Sequence, residues 1–169
     1  MTDFYRALEV NYPKFFKMDG LSKLGFLASE KIFENTPNRF EPREDIAVVC
    51  FNRSSSLEID MLYQKNIQSN ENYFPSPSVF AYTLPNIVTG EIAIRNRFYG
   101  ETSFYISEKY DTEMIFRTVN NCFLDKITNF VLCAWIESFK EKLDVKMFLI
   151  TKEKTDNEFS EQTIHMNDN

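Results

Sequence analysis

Hydrophobic and polar positions along this chain fall into two kinds of run. In residues 21–35, LSKLGFLASEKIFEN, Leu21, Leu24, Leu27, Ala28 and Ile32 recur at helical spacing. They predict an amphipathic helix started by Asp19 or Ser22 and stopped by Pro37. Residues 45–52, DIAVVCFN, are instead nearly unbroken apolar and rich in Val and Ile, which predicts a short strand covered on both faces. The Ser54, Ser55, Ser56 triplet that follows predicts a helix start at LEIDMLYQKNIQ, with hydroxyls accepting from free backbone N–H groups. Strand, Ser-rich turn and helix make a βα unit. Such a turn can also cradle an anion.

Pro13 interrupts any helix in residues 1–18, and residues 70–78, with Pro75 and Pro77, read as a loop. A helix over 85–98 begins at Pro85, the favoured first helical position. Ile87, Val88, Ile92, Ala93, Ile94 and Phe98 lie on more than one of its faces, which predicts a largely buried helix ended by Gly100. TSFYIS (102–107) is strand-like. A helix over 111–127 takes Asp111 as its cap and places Ile115, Val119, Cys122, Phe123 and Ile127 on one face. NFVLCAWIE (129–137) is a second continuous apolar strand. After the polar turn 140–144, VKMFLIT (145–151) reads as its antiparallel mate. The expectation is one α/β domain over 1–151, layered around a mixed sheet ending in an antiparallel hairpin, and a polar, mobile tail over 152–169.

Composition narrows the partners. Aromatics reach 15%, with 17 Phe and 8 Tyr, which suits a thick core or an apolar interface. The net charge is −6 and no basic run is interleaved with aromatics, so nucleic acid is not an expected partner. No apolar run approaches the ~20 residues of a membrane span, and the early acids of MTDFYRALEV do not make a signal-peptide pattern. The 3 cysteines are widely spaced, odd in number for disulfides and without a metal motif. No cofactor and no metal is expected, and the setting is expected to be cytoplasmic.

Three segments then carry a resemblance. The run KFFKMDGLSKLGFLASEKIF (14–33) resembles the first long helix of the β-ketoacyl-acyl-carrier-protein synthases, of the thiolase-like superfamily. SPSVFAYTLPNIVTGEIAIRNRFYG (76–100) resembles the loop and buried helix before the family's nucleophile strand, and VLCAWIE (131–137) the strand after its nucleophile helix. The resemblance covers about residues 14–137, and the family's first strand has no clear counterpart before it. It implies a thiolase-like half-domain in which the strand matching 102–107 pairs with its two-fold mate. The loop matching 76–86 would lie near that interface and help line the partner's acyl pocket. Phe80, Tyr82, Thr83 and Phe104 are the candidate lining or interface residues.

The family's chemistry uses a cysteine thiolate at a strand-to-helix turn, where the helix N-terminus lowers its pKa. Counting from Gly100, the equivalent turn here is Ser107, Glu108, Lys109 and Tyr110, without a cysteine. Cys50 and Cys133 fall in predicted buried strands and Cys122 in mid-helix, where free Cys behaves as a small hydrophobe. The one histidine, His165, lies in the predicted tail. Ser107 as nucleophile lacks a base, and Lys109 beside Glu108 reads as a solvated ion pair. Glu108, Asp111 and Glu113 read as complements of a helix dipole rather than as metal ligands.

No catalytic residue is therefore expected. The expected function is a degenerate ketosynthase-like accessory subunit in fatty-acid or polyketide-type synthesis, forming a homodimer or a heterodimer with a ketosynthase-like subunit. One alternative is a synthase component active only in complex with another subunit. Another is a binding module for an acyl chain or an acyl carrier protein, which would need a basic patch such as Lys14, Lys17 and Lys23, or Arg95 and Arg97.

Overall fold

The computed structural model describes residues 1–68, 73–153 and 159–160. At its centre is a four-stranded mixed sheet of order β2-β1-β3-β4: β1 (Ile46–Asn52), β2 (Thr102–Ile106), β3 (Phe130–Phe139) and β4 (Lys142–Thr151). β1 pairs in parallel with β2 on one side and with β3 on the other, and β3 and β4 form the antiparallel hairpin. Every residue of β1 is buried, as the unbroken apolar run predicted.

The period-2 alternation of these strands builds two cores. Ile46, Val48 and Cys50, with Leu132, Ala134 and Ile136, face one side of the sheet. Helices α2 (Gly20–Ile32) and α5 (Ile87–Asn96) cover that side through Leu21, Leu24, Val88 and Ile92. Ala47, Val49 and Phe51, with Val131, Cys133 and Trp135, face the other, covered by α6 (Thr112–Cys122) through Ile115, Val119 and Cys122. Phe26 and Leu27 of α2 join Tyr5, Phe15 and Met18 in a third cluster. Gly25 lets α2 and α5 meet, since a Cβ there would run into Val88. Among the described residues no helix is long and apolar enough to cross a membrane.

Several expectations need correction. A six-residue helix, α1 (Thr2–Ala7), forms ahead of Pro13, and a 3-10 turn spans Pro13–Lys17. α2 ends at Ile32 rather than residue 35. Part of the expected loop 70–78 is helix α4 (Pro77–Ala81), capped by the Ser76 hydroxyl. α5 starts two residues after Pro85 and is buried on one side only, because Ile94 is 65% exposed. It is ended by Arg97 in the left-handed region (φ 58), not by Gly100. Gly100 instead lets the chain pass against β1, where a Cβ would strike the Ile46 carbonyl oxygen. α6 stops at Cys122, which puts Cys122 at the helix end rather than its middle and leaves Ile127 exposed. The hairpin turn is tighter than residues 140–144, with Lys140 at φ 57. Of the expected tail, Phe159 stacks on Phe116 (5.4 Å), whereas His165 lies outside the described residues.

Candidate functional site

The turn after β2 is where the family's nucleophile is expected. Ser107 continues the ladder by donating its N–H to the Asn52 carbonyl (2.8 Å). Its hydroxyl donates to the Lys109 carbonyl at 2.9 Å, a turn bond with no base involved. Glu108 and Lys109 are exposed. Asp111, the cap of α6, accepts from the Met114 N–H at 2.9 Å, so this helix N-terminus already holds an anion of its own chain. Beside the turn, Tyr110 packs edge-on against Trp135 under the Lys146 ammonium. Burial pushes its phenol up to about 12.

The cysteines are elsewhere. Cys50 and Cys133 sit at 0% and 1% exposure in adjacent strands, and Cys122 closes α6 at 7%. Burial pushes the Cys50 thiol up to about 12 and the Cys122 thiol to about 11, and raises that of Cys133 too. A nucleophilic cysteine is shifted in the opposite direction.

The predicted lining residues separate in space. Phe104, on β2, packs against the α2/α5 core. Phe80 stays 53% exposed on α4, tilted against Tyr63 of α3 (Leu57–Ile67). The Tyr82 hydroxyl donates to Glu91 Oε1 (3.0 Å). Burial first, and then that hydrogen bond, raise the Tyr82 pKa. Thr83 bonds locally to the Phe80 carbonyl and accepts the Ser56 hydroxyl on its own carbonyl (2.6 Å).

The Ser-rich turn after β1 does not work as expected. Ser56 precedes α3 but makes no side-chain cap, since its hydroxyl turns to Thr83 and Asp60. The Asn52 side chain folds the turn instead, bonding both the N–H and the carbonyl of Ser55. The anion cradle exists and is filled from within: Glu137 Oε2 accepts from the N–H groups of Arg53 (2.8 Å) and Ser54 (3.3 Å). A glutamate ending an apolar strand was the signal, but the sequence pattern does not say which turn it clamps.

Two buried carboxylates also escaped the sequence reading. Glu30, on α2, is gripped by Arg39 (2.6 Å) and Arg95 (2.8 Å), both guanidiniums lying over Phe40. Glu91, on α5, has Lys14 at 2.8 Å, a charge contact whose angle makes no hydrogen bond. Two of the basic residues offered for an acidic partner, Lys14 and Arg95, are thus engaged by the chain's own carboxylates.

The outer edge of β2 remains. Val48 donates to the Glu101 carbonyl and Ser107 to the Asn52 carbonyl, so by alternation the backbone groups of Thr102, Phe104 and Ile106 face away from β1. Ile106 is 57% exposed there.

No protein-family model matches the chain, and no curated protein matches it in sequence. Solved structures do. One is a ketosynthase in complex with its chain length factor from Xenorhabdus doucetiae: TM-score 0.60, 16% identity, 77% of this chain and 50% of that one. Another is the ishigamide ketosynthase/chain length factor: TM-score 0.63, 19% identity, 73% of this chain and 35% of that one. The chain thus spans half or less of the length of the chains it matches. The mixed sheet with its antiparallel hairpin, packed between α2/α5 and α6, is the thiolase-like fold of those ketosynthase and chain-length-factor structures.

Proposed function

We propose that this chain is a ketosynthase-like accessory subunit without condensing chemistry of its own, pairing through β2 with a second ketosynthase-like polypeptide in fatty-acid or polyketide-type synthesis. The observation that carries this is the combination at one end of β2. An edge that no other strand of the described residues pairs with leads into a turn, Ser107–Tyr110, that holds no thiol, while all three thiols lie buried in the core. Likeness in fold to a ketosynthase bound to its chain length factor supports the pairing, and the pairing would be with itself or with such a partner. On this reading residues 1–151 act as one domain. Phe104 stiffens the pairing edge from the core side, and Phe80, Tyr82 and Thr83 border the partner's acyl channel. The exposed Phe80 would make the contact.

Incubation with an acyl thioester such as octanoyl-coenzyme A, read by intact mass, tests the absence of chemistry. The expected spectrum is that of unmodified protein, and an acyl adduct on any residue overturns the reading. A second reading, a condensing site completed in a complex, is favoured only by the exposure of Glu108 and Lys109 beside that edge. If a condensing complex keeps its rate when Ser107→Ala, Glu108→Gln and Lys109→Ala are combined, that reading is eliminated.

A further inference from the structure

At the carboxyl ends of β1 and β3, on the α2 side of the sheet, a cleft of about 460 Å³ opens between three elements. These are the first turn of α2 (Met18 to Lys23), the hairpin turn (Ser138, Phe139, Lys140) and one side of α3. In open α/β sheets, ligands bind outside the carboxyl ends of the strands, and this volume is within the range of small-molecule sites.

The α3 wall is unusual. Glu58, Met61, Leu62 and Lys65 are spaced i, i+3, i+4 and i+7, so they form one face of the helix, and all four line the cleft. No residue of α3 is buried, and Met61 and Leu62 are each 47% exposed. The apolar side of this helix opens onto the cleft instead of closing onto the core. Met18, Leu21, Ile59 and Phe139 supply further apolar wall.

Three lysines, Lys23, Lys65 and Lys140, line this apolar space; among the described residues none of them makes an ion pair, while the Lys23 ammonium lies over the Phe15 ring and that of Lys140 over the Phe139 ring. The two acids of the lining are already engaged with backbone amides. Asp19 caps α2 through the N–H groups of Ser22 and Leu21, and Glu58 accepts from the Lys140 N–H at 3.0 Å. Three lysines against two carboxylates leave the lining with an excess of positive charge, and with its apolar walls, in a protein of net charge −6, it complements a molecule that is apolar along its length and anionic at its head.

We propose that this cleft binds a single-chain anionic amphiphile, a straight-chain carboxylate, with the alkyl chain against Leu21, Ile59, Leu62 and Phe139 and the head among Lys23, Lys65 and Lys140. The site does not include the Ser107–Tyr110 turn or the β2 edge, so it stands independently of the function proposed above. An amphipathic acidic helix is the competing occupant. With side chains it is roughly 10–12 Å across, a poor fit to a space walled by three elements.

Calorimetric titration of the whole protein with octanoate, decanoate and dodecanoate, each below its micelle threshold, tests this. Affinity should rise about fourfold per added methylene, since each buried CH₂ contributes about 0.8 kcal/mol. Combining Lys23→Gln, Lys65→Gln and Lys140→Gln should weaken dodecanoate binding at least tenfold, and dodecanol should bind the native protein no better than that variant binds dodecanoate. Leu62→Glu should abolish binding. Both variants alter exposed or half-exposed positions, and an unchanged melting temperature establishes that they fold. Three outcomes overturn the proposal: no binding at millimolar dodecanoate, binding indifferent to both variants, or tighter binding of an acidic amphipathic peptide that displaces dodecanoate.

Discussion

Strand β4 borders the sheet with ten residues that carry Lys142, Asp144 and Lys146, whereas β2 borders it with five, Thr102–Ile106, and no charge or proline among them. An exposed strand edge is a template for pairing, and charged side chains along it are a common guard. β4 has that guard. β2 has only its shortness, with Glu101 just before it, and it presents Ile106 to solvent. The difference teaches which border of the sheet is free to accept another strand, and it is the border that runs into the Ser107–Tyr110 turn.

The comparison can be broken most severely from the inside, because both edges hang on one core. Glu30 is 3% exposed and holds two arginines, so Glu30→Ala leaves both guanidiniums without their carboxylate. The expected cost is about 3–5 kcal/mol in urea unfolding, the range for removing one partner from a buried ion pair. A cost below about 1 kcal/mol would show that water already satisfies this cluster. Next in size is the edge itself. Ile106→Lys gives β2 the guard that β4 has, and it should weaken assembly at least tenfold in sedimentation analysis while changing the monomer's stability by no more than about 0.5 kcal/mol. The smallest effect concerns the turn. Asp111→Ala removes the α6 cap and should cost about 1 kcal/mol, without creating reactivity toward acyl thioesters.

The thiols respond to pH in a direction that follows from burial. Cys50 rises from its ordinary 9.0 to about 12 in the folded chain. A folded-state pKa above the unfolded one means that the contribution to stability is intact below pH 9 and is lost as pH climbs toward 12. Thiol-reactive dye at pH 8 should therefore label the native chain slowly and all three cysteines at once on unfolding.

The parts of the fold easiest to read in sequence were those covered on both sides. β1 and β3 are continuous apolar runs because helices or neighbouring strands leave them no solvent face, and Asp19 and Asp111 cap their helices as their positions implied. Helix ends were harder. Ile94 and Ile127 fit an apolar period but face solvent, since periodicity marks which residues share a face and not what covers it. The Ser54–Ser56 triplet misled because the Ser56 hydroxyl turns to the Thr83 carbonyl and Asp60 instead of the α3 amides, and because Glu137, some eighty positions away, takes the amides of Arg53 and Ser54. The grip of Arg39 and Arg95 on Glu30 was invisible for the same reason: a residue's charge is written in the chain, but its partner is chosen by the fold.

The most direct measurement is a structure of the assembled particle, formed by this chain alone or with the ketosynthase-like partner proposed for it. The account predicts Thr102–Ile106 hydrogen-bonded along its outer edge to the equivalent strand of the neighbouring subunit, across a two-fold or pseudo-two-fold axis. An assembly that leaves that edge in solvent, or joins its subunits through β4, would contradict it.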